Sequence, residues 1–336
     1  MKKALLLGGT GALGVYLTEE LLKLGYKVDV VSLDDKTSDN ENLTFIKANA
    51  KEGNFASESV KNNYDVITDF MIYFSPEEFK PYCDIFLNNC SHYIFLSSYR
   101  VYADSSTPIT EESDRILDVC KDEAILKSGD YAIYKAQQED MLRASGKNNW
   151  TILRPAITYS KNRFQLTTLE AKVLVRRMRE GKTVVLPETA MDKLATLSWA
   201  GDFGRTVSRL VLNPVAMGEA YTISTSEYHT WREIAELYKK IGGLKYITTD
   251  TDSYLNIIKP DNIHVRQQLT LDRYFNRRVD NSKLLRDTGL TQDSFMPLEK
   301  GLTKELSNLP ADYVFEYDDG QNARMDEYLK SIGIDK

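Results

Sequence analysis

Short apolar runs alternate with amphipathic stretches through the first 160 residues of the chain. Lys3–Leu7 reads as a strand, and Ala12–Leu24 carries Leu13, Leu17, Leu21 and Leu24 at helical spacing before Gly25. Lys27–Ser32, with Val28, Val30 and Val31, predicts a second strand, Leu43–Lys47 a third and Asp65–Met71 a fourth. Pro76–Cys90 has a helical pattern and Tyr93–Ser98 that of a fifth strand. Tyr131–Ser145 reads as a helix capped by Asp130, and Trp150–Tyr159 as a sixth strand. Strands alternating with helices imply parallel βαβ units, hence an α/β, doubly wound parallel sheet. Right-handed crossovers then open the ligand crevice at the carboxyl ends of the strands.

Past Tyr159 the rhythm changes. Helices over Leu166–Glu180 and Gly201–Leu212 interleave with short strands at Thr183–Leu186 and Ala220–Ser224. A helix over Thr230–Ile241 has a Thr cap and stops at Gly242-Gly243. Residues 1–160 are thus predicted to build the sheet domain. Residues 161–336 form a smaller mixed α/β lobe, some of whose segments can return to the sheet. Residues 103–128 are polar and acidic and follow the fifth strand, a pattern expected of a lid or specificity loop.

Composition narrows the function classes. A hydrophobic fraction of 42% and a charged fraction of 27% over 336 residues fit a globular chain with its own core. With 43 basic and 49 acidic side chains the net charge is −6, which counts against nucleic acid as the main partner. Cys83, Cys90 and Cys120 form no Cys-x-x-Cys pair, and His92, His229 and His264 are scattered, so neither a disulfide scaffold nor a metal centre is expected. Cys83 and Cys90 are read as packing on one helix. The opening Met-Lys-Lys-Ala-Leu-Leu-Leu runs at once into glycines rather than a cleavage site, and no window suits a membrane span. A soluble, cytoplasmic chain is the expectation.

The first strand is followed by Gly8-Gly9-Thr10-Gly11-Ala12-Leu13-Gly14, which opens the first helix. A phosphate cradle needs glycine there for a tight turn, for close backbone approach to a pyrophosphate, and for close helix–strand packing. The helix start adds free N–H groups and the positive end of a dipole. Gly8, Thr10, Gly11, Ala12, Leu13 and Gly14 are therefore candidate cofactor contacts. The glycines fit both Gly9-x-Gly11-x-x-Gly14 and Gly8-x-x-Gly11-x-x-Gly14. At the end of the second strand, Ser32 takes the position of the ribose selector, with Asp34 two residues on. Asp34 and Asp35 would repel a 2′-phosphate and Lys36 would attract one, so NAD is favoured slightly over NADP.

Ser97-Ser98 ends the fifth strand, and Tyr131 is the one tyrosine of 20 with Lys four residues on, Lys135. On a helix those two side chains share a face. A free phenol, with its pKa near ~10, is a poor base at neutral pH. A neighbouring ammonium and an oxidised nicotinamide ring favour the phenolate. Tyr131 is thus the candidate acid/base and Lys135 the pKa modifier and ribose anchor. Ser98 is the donor that orients a hydroxyl or carbonyl.

Gly8–Gly14, Leu96-Ser97-Ser98-Tyr99-Arg100-Val101-Tyr102, Tyr131–Lys135, Leu153–Tyr159 and, more weakly, Leu197–Asp202 resemble the extended short-chain dehydrogenase/reductase family, the NAD-dependent epimerase/dehydratase group. The resemblance spans essentially the whole chain. It implies a Rossmann domain with a substrate lobe, a bound NAD or NADP, and a nucleotide-activated sugar as substrate. It implies Ser98, Tyr131 and Lys135 as the catalytic set, and a backbone at Pro155 and Ile157 that borders the nicotinamide. It also implies Asn49, where an Asp often contacts adenine, and Asp69, Phe70 and Met71, where small residues usually border the cofactor. Tyr99 and Arg100 stand where sugar dehydratases carry an Asp-Glu pair, which disfavours water elimination. Arg100 is read equally as an anion holder or a structural ion pair. Arg176 lies in a run that reads as a solvated face, although relatives place cations there near a diphosphate; Arg277-Arg278 is read as solvated in the same way. The helices at Pro76 and Tyr131 are those the family pairs in homodimers, and Phe79, Ile85 and Phe86 suit that use and internal packing equally. The predicted activity is hydride movement between nicotinamide and a secondary alcohol or ketone, as a net reductase or as a redox-neutral epimerase. The alternative is a nucleotide-sensing or RNA-associated member without turnover, of the kind found among chloroplast relatives.

Overall fold

The structure is a computed structural model that describes residues 1–161, 163–315, 317–318 and 320–334. Six strands appear where the apolar runs lie: β1 (Lys3–Leu7), β2 (Lys27–Ser32), β3 (Leu43–Lys47), β4 (Val66–Asp69), β5 (His92–Leu96) and β6 (Trp150–Pro155). A seventh, Glu219–Ile223, pairs in parallel with β6, so the sheet runs Glu219–Ile223, β6, β5, β4, β1, β2, β3. The excursion after residue 160 thus returns one strand to the sheet, because Ala220–Ile223 is buried on both faces and needs the ladder of β6. Strand order reverses between β1 and β4, which places the crevice between the loops that follow them.

Helices cover both faces. On one side, helix α1 (Gly14–Lys23) buries Leu17 and Leu21 against Phe203 and Val207 of the Ala200–Leu210 helix. On the other, the Pro76–Asn89 helix sets Phe79 4.8 Å from Phe95 of β5 and Phe86 5.9 Å from Tyr93. Both rings are fully buried, so they serve the core rather than a partner subunit.

Two predicted elements break where local chemistry requires it. The sixth strand ends at Pro155, whose missing N–H cannot continue a ladder. Ile157–Tyr159 then pairs with Leu197–Trp199 instead. The helix expected over Leu166–Glu180 starts only at Leu174, preceded by a hairpin of Gln165–Leu166 with Leu169–Glu170. Thr167 at its tip has φ 52°, and Thr168 bonds the Tyr254 hydroxyl at 2.7 Å. The remaining lobe packs helices around a parallel pair, Thr183–Pro187 with Lys245–Thr249. Its Trp231–Gly242 helix starts in a full capping box of Thr230 and Glu233, worth about 1 kcal/mol.

Residues 103–128 are strapped down rather than poised as a lid. Ile109 is fully buried and bridges Val279, and the Glu111 carboxylate accepts the Thr222 N–H at 2.6 Å. Among the described residues, none from 103 to 128 lines the crevice beside Ser98. No helix of the described residues is long and apolar enough to cross a membrane.

Candidate active site

The glycines at the end of β1 answer to different demands. Gly8 has φ 75°, a left-handed conformation that a side chain would strain. A Cβ on Gly14 would lie 2.5 Å from the Gly9 Cα, so the helix start fits the turn only without one. Gly11 is exposed, its φ is not left-handed, and a Cβ there would meet only the Gly8 carbonyl at 3.6 Å. Nothing in the protein requires glycine at Gly11; a ligand laid on the backbone would. No side chain caps α1, which leaves its first N–H groups facing the turn. The Thr10 hydroxyl near Asp34 holds that carboxyl below the usual range, which sets the end of β2 beside the cradle. Ser32 Oγ accepts the Asp34 N–H at 2.8 Å. Lys36 stands 3.6 Å from Asp34 and Lys47 2.9 Å from Asp35. Asn49 closes its own turn, accepting the Lys51 N–H at 3.1 Å and donating to Glu52 at 2.7 Å.

Across the cradle lies the end of β4. Asp69 is fully buried and accepts from the hydroxyls of Tyr73 (2.9 Å) and Tyr93 (2.7 Å) and from the Met71 N–H (2.9 Å). Burial raises its carboxyl, and those donors with Lys135 pull it back. Met71 packs against Gly8, while Phe70 and Ile72 face the crevice.

The crevice itself is a cavity of about 330 Å³ that joins Leu13 of the cradle to Ser98, Tyr131, Pro155 and Ile157. The two adjacent serines part company here. Ser97 is fully buried and donates to Glu139 at 2.6 Å, and Glu139 holds Arg154 at 2.6 Å. Ser98 faces the cavity, where it accepts the Arg100 N–H at 3.2 Å and lies beside Tyr131. Tyr131 opens the Tyr131–Ala144 helix behind Asp130, whose carboxylate caps the Ala132 N–H at 2.8 Å.

Burial raises the Tyr131 phenol, and Arg100, Arg163 and the Ser98 hydroxyl pull it back down. The cations that act on it are therefore arginines, with the Arg100 Cζ 5.3 Å from the ring. Lys135, expected in that role, has its Nζ 6.0 Å from the Tyr131 ring and 4.5 Å from that of Phe95. Its Nζ donates to the Leu96 carbonyl at 2.8 Å, and burial lowers its pKa to about 8.

Other expectations need correcting. Arg176 does not reach the crevice; it pairs with Glu180 at 3.0 Å and Asp318 at 3.8 Å on the outer face of its helix. Arg277 is not solvated but buried, 3.0 Å from Asp272 and stacked 5.2 Å from the Tyr99 ring. The polar groups that do line the cavity include Arg163, Gln165, Gln268 and Arg273, which sequence reading passed over. They come from separate elements of the second lobe, among them the Gln165–Leu166 strand and the helical segments ending at Gln268 and Arg273, which no spacing rule connects.

No model of a known protein family matches the chain. Among curated proteins, the Arabidopsis thaliana chloroplast stem-loop binding protein of 41 kDa b is 24% identical over 257 residues. That match covers 72% of this chain and 64% of the relative, so less than two thirds of the relative's length is spanned. Among solved structures, the UDP-glucose 4-epimerase of Thermus thermophilus in complex with NAD aligns at 15% identity with a TM-score of 0.69, over 93% of this chain and all of that one. Bacillus cereus UDP-glucuronic acid 4-epimerase in complex with UDP-glucuronic acid and NAD aligns at 18% identity and TM-score 0.68, over 93% and 100% of the two chains. The fold is thus a doubly wound α/β fold. Within that class, it is the fold of these solved epimerases.

Proposed function

We propose that the chain is an NAD(P)-dependent oxidoreductase or epimerase acting on a secondary alcohol or ketone, with a nucleotide-activated sugar as substrate class. One observation carries this reading: a single cavity is bordered by Leu13, at the end of the glycine turn, and by Ser98 and Tyr131. The residues fit a dinucleotide, because Gly11 leaves open the space that a pyrophosphate would fill. Asp34 and Asp35, each with a lysine beside it, support NAD over NADP. Bound there, the nicotinamide supplies hydride acceptance and donation. The Tyr131 phenol gives or takes the proton at the substrate oxygen. Ser98, fixed by the Arg100 N–H, hydrogen-bonds that oxygen and the phenol. Lys135 donates to the Leu96 carbonyl and lies behind the cavity lining, so a ribose hydroxyl is reached only when its ammonium turns from Phe95. Tyr99 and Arg100 offer no acid–base pair for water loss, which weighs against a dehydratase.

Denaturing the purified protein and weighing the released small molecules tests the cofactor; a net change in NAD(P)H against product separates a reductase from an epimerase. The match to a stem-loop binding protein favours a second reading, a nucleotide- or RNA-associated protein without turnover. An activity that survives Tyr131→Phe unchanged would select it.

A further inference from the structure

The crevice holds more positive charge than a neutral sugar ring can answer. Arg100, Arg163 and Arg273 border the same cavity as Ser98 and Tyr131. Their counter-charges are few. Asp272 is fully buried and contacts Arg273 and Arg277, but approaches the Arg100 Nε only to 3.9 Å. Asp130 reaches Arg100 at 3.4 Å with one oxygen and caps its helix with the other. Arg163 has no ion pair with a carboxylate of the described residues. Arg100, Arg273 and Arg277 therefore share two carboxylates while Arg163 has neither, and Arg100 and Arg163 act on Arg273 as repelling like charges. Two polar atoms of lining residues are also left over: Arg100 Nε is a buried donor and Gln165 Oε1 a buried acceptor, neither with a hydrogen-bond partner among the described residues. A buried polar atom without a partner is costly, and native sites keep one where a ligand completes it.

Resting on the crevice as a hydride-transfer site, we propose that the substrate carries an anionic group, a carboxylate or a phosphate, on its reacting portion and presents it to Arg100, Arg163 and Arg273. Guanidinium forks match both groups in plane and spacing. At about 330 Å³ the cavity is near the small end of ligand pockets, so the charge lies within it beside the phenol rather than at the far end of a long ligand. Gln165 Oε1 accepts a hydroxyl of the same portion.

The probes are D-glucuronate, D-glucose 6-phosphate and D-glucose, titrated into the full chain by calorimetry with and without NAD. One of the two acidic sugars is expected to bind about tenfold or more tightly than glucose, and which one identifies carboxylate or phosphate. The preference is expected to shrink as salt rises and to vanish in Arg163→Gln, a variant that strands no carboxylate. Equal binding of all three, a preference insensitive to salt, or one that survives Arg163→Gln overturns the proposal. Failure of NAD to bind instead removes the dinucleotide reading, and the sugar preference is then still measured on the protein alone.

Discussion

Exchange of Gly11 for alanine separates a folding requirement from a binding requirement within one turn. The new methyl meets only the Gly8 carbonyl at 3.6 Å, an ordinary contact, at a position outside the left-handed region. Loss of glycine's freedom in the unfolded chain then favours the fold by about 0.4–1 kcal/mol. At roughly 2–4 °C per kcal/mol for a chain of this class, the melting temperature should hold or rise slightly. Gly14→Ala is the control: its Cβ would sit 2.5 Å from the Gly9 Cα and carbonyl oxygen, so backbone must move. Overpacking of that kind costs about 1–3 kcal/mol, a fall of several degrees. NAD affinity, followed by calorimetry, should drop about 10- to 100-fold in Gly11→Ala, because the methyl takes the space of the pyrophosphate. A Gly11→Ala protein that binds NAD within threefold of wild type would refute the assignment of the cradle. One that melts many degrees lower would refute the packing argument.

Tyr131→Phe should cut kcat by about 10²–10⁴ with the NAD dissociation constant little changed; a comparable loss of NAD affinity would contradict a proton-transfer role. The paired serines should diverge. Ser97→Ala removes a donor from buried Glu139 and should cost about 1–2 kcal/mol in urea unfolding, whereas Ser98→Ala should lower turnover and spare stability; equal stability losses would count against the division. His92 is held neutral in the core, its Nδ1 accepting the Leu212 N–H at 2.9 Å, and burial lowers its pKa to about 4. Its folded pKa lies below the ordinary value of 6.5, so stability is intact above that pH and falls as the pH drops from 6.5 towards 4. The loss amounts to about 3 kcal/mol, and unfolding midpoints across that window should flatten in His92→Gln; an unchanged slope would assign the acid sensitivity elsewhere.

The legible part of this protein is the part with period. Continuous apolar strands and leucines at helical spacing placed β1 to β6 within a few residues, since in a parallel sheet both faces are buried. The glycine turn was readable because its residue types answer backbone geometry directly. The strand Glu219–Ile223 looked like a piece of the second lobe, as nothing in five residues says which edge they will join. The lysine expected to govern Tyr131 illustrates another limit: helical spacing put Lys135 on the right face, but burial turned it to Leu96 and Phe95. Arg163 precedes the Gln165–Leu166 strand and Arg273 ends the Leu269–Arg273 helical segment, and no spacing rule connects them to Ser98.

The late return of the seventh strand has a consequence for biosynthesis. Until Ile223 has been made, β6 offers a bare row of amide and carbonyl groups, and the core beneath it stays uncovered. Ribosomes add about 5–20 residues per second, so the stretch of about 70 residues between Pro155 and Ile223 leaves that edge open for several seconds. A fragment stopped near residue 160 would carry the open edge permanently and should aggregate through it. The part of the second lobe that precedes Glu219 is an insertion inside one folding unit, and the chain must be made through Ile223 before the sheet closes.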